Sequence, residues 1–196
     1  MTLVTSTLSS FVKQSWAGLR AMLVLTVLLG VLYPAVVWGV GQAVARDQAA
    51  GSLVSVDGSV VGSYLVGQQW TGAQWFWGRP SASGYAGDTS GGSNLSGTAL
   101  TDEVARRAST ARLDPATAPA DALTASGSGL DPHVSQAYAV SQVPRVAAAR
   151  GLAESQVAAL VDAHVQGRVA GFLGQPRVNV LELNLALAAL SGRSAG

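Results

Sequence analysis

From Ala21 to Val44 the chain carries roughly 24 consecutive residues without a charge, AMLVLTVLLGVLYPAVVWGVGQAV, bounded by Arg20 and Arg46, and no other stretch resembles it. At about 1.5 Å of rise per residue such a helix is roughly 36 Å long, enough to cross a hydrocarbon core of about 30 Å with some tilt. The competing reading is a cleaved secretory signal, because Ala43-Val44-Ala45 has the small-x-small form of a cleavage site. Length argues for retention: a signal's apolar region runs about 7 to 15 residues, and here a long lead from Met1 to Arg20 precedes it. Pro34 predicts a kink near mid-membrane. Lys13 and Arg20 precede the span with no acid, whereas Arg46 is followed at once by Asp47, so the positive-inside rule places the N-terminus in the cytoplasm.

Residues beyond the anchor amount to one domain with room for a real core. After Arg46 there are nine basic and eleven acidic residues, net −2, so no basic field for nucleic acid exists. The chain has no cysteine, which excludes disulfides and thiolate metal sites, and its two histidines, His133 and His164, are poor material for structural zinc. Within the anchor, Ala35, Gly39 and Ala43 recur every four residues and form a stripe on which another helix could pack closely; in a chain this rich in Ala and Gly, chance produces the same pattern.

Leu53–Val56 and Val60–Val66 flank Asp57-Gly58, a strong hairpin signal. Trp70, Trp75, Phe76 and Trp77 then cluster, either as core over the sheet or as a docking surface. The stretch from Gly78 to Gly97 reads as an ordered surface loop, and a second such loop runs from Leu123 to His133. A helix is expected from Thr101, with acids in its first turn and Arg106, Arg107 and Arg112 towards its end. A second helix, capped by Ser135, is expected to be interrupted by Pro144 and ended by Gly151. A third spans about Glu154 to Gly167. Asn179-Val-Leu-Glu182 fits a capping box opening a last helix, Val180 to Leu190, although Val178 to Leu187 also alternates like a strand. The fold class is therefore α+β. A cytoplasmic segment (1–20) and one transmembrane helix (21–45) precede one soluble, extracytoplasmic domain (46–196) with a small antiparallel sheet and about four helices.

Five runs together carry a family likeness: GRPSA at Gly78 to Ala82, SGGSNL at Ser90 to Leu95, LTASGSGLDPH at Leu123 to His133, QVPRVAAARGL at Gln142 to Leu152, and LGQPRVNVLELNLAL at Leu173 to Leu187. In this order, behind a single N-terminal span, they resemble the C subunit of the Kdp-type potassium-transporting ATPase. The departures are Tyr85-Ala86, where the family usually has Tyr-Asn, and Ala153, where a capping residue often opens the helix. The resemblance implies a non-catalytic accessory subunit of a high-affinity, ATP-driven potassium uptake complex in the plasma (inner) membrane, needed for assembly and activity. Its implied partners are a channel-like potassium-binding subunit and a P-type ATPase subunit, alongside membrane lipid. The residues agree, since the chain has no DKTGT run, no GxxxxGK[ST] and no catalytic pairing of side chains.

Two family roles separate here. One is a catalytic chaperone that raises the ATPase subunit's affinity for ATP in a ternary complex, with ATP never firmly bound. Ser90, Gly91, Gly92, Ser93 and Asn94 match its nucleotide-touching stretch; adjacent glycine N–H groups and serine hydroxyls can cradle a phosphate, and equally make an ordinary turn. The other is an outer domain that stabilises or gates the channel subunit's ion entrance, for which the topology argues. Arg79 and His133 are candidate partner contacts; more simply, Arg79 pairs within its own domain and His133 follows an Asp-Pro turn. A stand-alone, membrane-tethered binding module is the third reading.

Overall fold

The computed structural model describes residues 2–190, with side chains from residue 10 onward, as two compact units that meet between Ser52 and Leu53. The first unit is helical: α1 (Thr2–Val27), a π turn (Leu28–Leu32), α2 (Tyr33–Val44) and the short α3 (Arg46–Ala49). The helical stretch Ser10–Val44 has 35 residues, and its most apolar 18 residues have a mean hydropathy of 2.3. At about 52 Å it exceeds a bilayer's hydrocarbon core, so the helix extends well upstream of residue 21. Around Pro34 the helix widens: the Tyr33 N–H donates to Leu28 O, five residues back, and Pro34 lies in the first turn of α2. A π turn is one of the few local devices that accommodate a proline ring without ending the helix.

The second unit opens with a hairpin of β1 (Leu53–Val56) and β2 (Ser59–Ser63), bulged between Val54 and Ser55. Asp57 (φ 50°) and Gly58 (φ 79°) form its turn, the conformation a two-residue hairpin demands. A second, three-stranded antiparallel sheet has the order β3 (His133–Val134), β5 (Arg177–Asn179), β4 (Val165–Gln166). Around it lie α4 (Gly97–Ala111), α5 (Ala120–Leu123), α6 (Gln136–Arg150), α7 (Glu154–Ala163) and α8 (Val180–Leu190). Phe76, Val146, Val157, Val161, Val178 and Leu183 are fully buried between these helices and the sheet. The α+β class is as read, and Phe76 is core.

Several local expectations need correction. α4 begins behind Ser96, one turn before Thr101, whose hydroxyl donates to Gly97 O inside the helix; the acids at 102 and 103 therefore fall past the first turn. Pro144 does not interrupt α6. It sits on an exposed face, where water can serve the carbonyl of Val140, itself 46% exposed. α7 stops at Ala163, where His164 Nδ1 lies 2.7 Å from Leu160 O and the chain turns into β4. Ala153 has no side chain to cap α7, so half a capping box remains, its N–H donating to Gln156 Oε1. At α8, Asn179 Oδ1 accepts from the Leu181 and Glu182 N–H groups, whereas the Glu182 carboxylate turns to Gln166. Of the alternating stretch only Val178 and Asn179 are strand, at the end of β5.

Candidate functional site

The segment from Gly67 to Pro80 has no regular partner strand, yet the backbone of residues 73–77 is held by side chains from two helices. Asn184 on α8 grips Phe76 from both sides, its Oδ1 accepting from the Phe76 N–H and its Nδ2 donating to Phe76 O, each at 2.9 Å. Gln142 on α6 does the same to Trp77, at 2.8 and 3.1 Å. A carboxamide presents the same donor and acceptor as a peptide group, so two side chains substitute for a neighbouring strand. Arg145 donates to Ala73 O and Trp75 O and lies 3.7 Å over the Trp77 ring. Arg150 donates to Gln74 O and stacks 4.2 Å over Trp75. Together the contacts account for the aromatic cluster as a strap held by cation–π and amide pairing.

The strap leads into the first glycine-rich loop, which closes on the second. Ser81 Oγ donates to Gly129 O at 2.6 Å, the Ser126 N–H donates to Pro80 O, and the Gly67 N–H donates to Leu130 O. Ser90 Oγ and the Gly91 N–H both donate to Ser128 O, at 3.1 and 2.9 Å. Backbones here approach so closely that a Cβ on Gly92 would lie 3.2 Å from Gly127 O, and one on Gly129 would lie 2.7 Å from Gly91 O. Ser93 is half-buried and Asn94 exposed, with Asn94 at φ 50°.

Arg79, Asp131 and His133 are brought together beside this contact. Arg79 Nη1 meets Asp131 Oδ2 at 3.2 Å; Asp131 Oδ1 accepts the His133 N–H at 3.0 Å and lies 3.7 Å from His133 Nδ1. Burial raises the Asp131 carboxyl, but the hydrogen bonds from His133 and the Arg79 charge outweigh it and leave its pKa below the ordinary value. The Tyr85 hydroxyl donates to Arg79 O, and burial pushes its pKa up to about 12. A cavity of about 460 Å³ opens here, lined by Trp70, Trp77, Arg79, Tyr85, Glu103 and Arg106 among others. Arg79 Nε is buried and has no acceptor among the described residues. Glu103 holds both Arg106 and Arg107; the hydrogen bond from Arg106 leads the causes that lower its pKa to about 2.

The structure thus joins Arg79 to His133 through Asp131 and joins Ser90 and Gly91 to the second loop. Ala35, Gly39 and Ala43 are exposed on α2 of the first unit. Sequence reasoning missed Gln142 and Asn184. For Asn184 a signal was available, a carboxamide set between Leu183 and Leu185; Gln142, next to Ser141, shows its burial only in the fold.

The family model described as K+-transporting ATPase, c chain, matches residues 15–189. Among curated relatives, the potassium-transporting ATPase KdpC subunit of Kineococcus radiotolerans is 54% identical over 190 residues, covering 92% of this chain and 95% of its own length. Those of Paraburkholderia phytofirmans and Sorangium cellulosum are each 53% identical, covering 84% and 87% of this chain and 90% and 94% of their own lengths. With nearly the whole chain matched, anchor and interlocked loops included, it belongs to the KdpC family, the c chain of the K+-transporting ATPase.

Proposed function

We propose that the chain is the non-catalytic accessory subunit of an ATP-driven potassium uptake complex. It crosses the plasma membrane once, with residues 1–20 in the cytoplasm and its soluble domain outside, where the domain braces the ion entrance of the channel-like subunit. The observation that supports this reading over a nucleotide cradle is the double donation from Ser90 Oγ and the Gly91 N–H to Ser128 O. Those are two of the groups a phosphate would need, and they serve instead to join two loops into one rigid surface. Arg79 and His133, tied through Asp131, lie beside that surface as partner contacts. On α2 the exposed stripe of Ala35, Gly39 and Ala43 suits close packing against a helix of a partner subunit.

The chaperone role has one observation in its favour. The orphaned Arg79 Nε belongs to a residue lining the 460 Å³ cavity, where Trp70, Trp77, Tyr85, Tyr138 and Arg106 also stand, and a buried donor of this kind is stabilised by an acceptor oxygen. Topology decides between the two. The chain has no native cysteine, so Ser128→Cys, on an exposed loop residue, offers a single site for a membrane-impermeant maleimide. Labelling of intact cells is the expected result. Labelling only after permeabilisation, with the loop's accessibility controlled, overturns the outer placement and returns the domain to the compartment that holds ATP.

A further inference from the structure

We propose that the hairpin tip between β4 and β5 is a lipid-surface contact, an apolar apex that enters the headgroup region of the bilayer. Residues 167–174 make a tight, closed turn: the Val169 N–H donates to Leu173 O at 2.9 Å and the Leu173 N–H returns the bond at 3.0 Å. On this turn the domain displays its most exposed large apolar side chain, Phe172, at 71%, with Val169 at 57% and Leu173 at 53%. The backbone pairing fixes them outward, so the exposure is a property of the turn. Binding would not have to order this segment first.

The chemistry around the apex selects its occupant. Between Val165 and Arg177 there are two arginines, Arg168 and Arg177, and no acid, in a domain that is net acidic. Arg168 is exposed, with a single long contact to Gln175 at 3.3 Å, and Arg177 is half-exposed at the start of β5. An apolar apex with a basic collar matches the acyl boundary and the phosphates above it. A protein partner fits less well, because a stable interface takes about 800 Å² from each side, and three side chains on one convex turn supply far less. The bilayer is also close at hand. Eight residues (45–52) separate the end of α2 from β1, and so short a tether keeps the effective concentration of membrane high.

The full-length chain, reconstituted in vesicles of phosphatidylglycerol and phosphatidylethanolamine, carries one environment-sensitive fluorophore at Ala170→Cys, which leaves Phe172 and Leu173 in place. Doxyl-labelled lipid should quench this probe at least about threefold more strongly than the same probe at Ser109→Cys on the exposed face of α4. Adding Phe172→Ser and Leu173→Ser should remove that difference, while an unchanged melting temperature shows the fold intact. Quenching by aqueous iodide equal to the α4 control, with none by doxyl lipid, overturns the proposal. So does a probe that becomes shielded only when the channel and ATPase subunits are co-reconstituted, which would make the tip a protein contact.

Discussion

Two turn regions of the soluble domain use glycine for opposite ends. In the contact between residues 81–92 and 126–130, glycine lets one backbone touch another, and hardly any apolar side chain takes part. In the β4–β5 tip, glycine supplies only the turn; nothing lies within 4 Å of where a Cβ on Gly171 would be, and apolar side chains face outward. The first arrangement makes a surface stiff and polar; the second makes a small apolar point on an otherwise settled hairpin. A glycine count along the chain does not separate them, because the difference lies in what stands opposite each residue.

The largest test of this contrast is Gly129→Ala. A Cβ there lies 2.5 Å from Ser83 Oγ and 2.7 Å from Gly91 O, at a φ of +70°. Overpacking against backbone and the left-handed conformation together should remove about 2–4 kcal/mol, read as a lower thermal or urea midpoint. A smaller effect comes from the ion pair beside the loops. Because the folded pKa of Asp131 lies below its ordinary 3.8, the stability it contributes is present above that value and is lost as pH falls through the folded pKa. Asp131→Asn should therefore be less stable than the parent at neutral pH, with the gap closing below about pH 4 in unfolding experiments at a series of pH values. The smallest effect is Gly171→Ala, where only the positive φ opposes the substitution: about 1 kcal/mol. Equal losses for Gly129→Ala and Gly171→Ala would erase the distinction between the two regions.

Legibility in the sequence followed the range of the interactions. The Asp57-Gly58 turn, the Gly151 terminus and the Asn179 cap are set within a few residues and were readable. The sheet β3-β5-β4 was not, because its outer strands have two residues each, and β3 pairs with a strand far along the chain; no period can establish itself over two residues. Pro144 misled because its effect depends on which helix face meets water, a tertiary fact. At the candidate site the two polar loops were legible as ordered, but their joining through Ser128 O, which accepts from Ser90 and Gly91, required the fold. Asn184 was visible as an amide inside LELNLAL, yet its partner Phe76 lies 108 residues away.

The π turn at Leu28–Leu32 bears on how the anchor is read by anything beside it in the bilayer. One additional residue in a turn offsets everything downstream by about 100° around the axis relative to a regular α-helix. Tyr33 to Val44 thus form a separately phased section, and a neighbour that follows Ala35, Gly39 and Ala43 meets a different side of the helix once it passes Leu28. Deleting a single residue between Leu28 and Leu32 would bring the two sections back into phase and rotate Arg20 against the small-residue stripe. The anchor works less like a peg than like a key cut on two faces, whose angle is written by five residues.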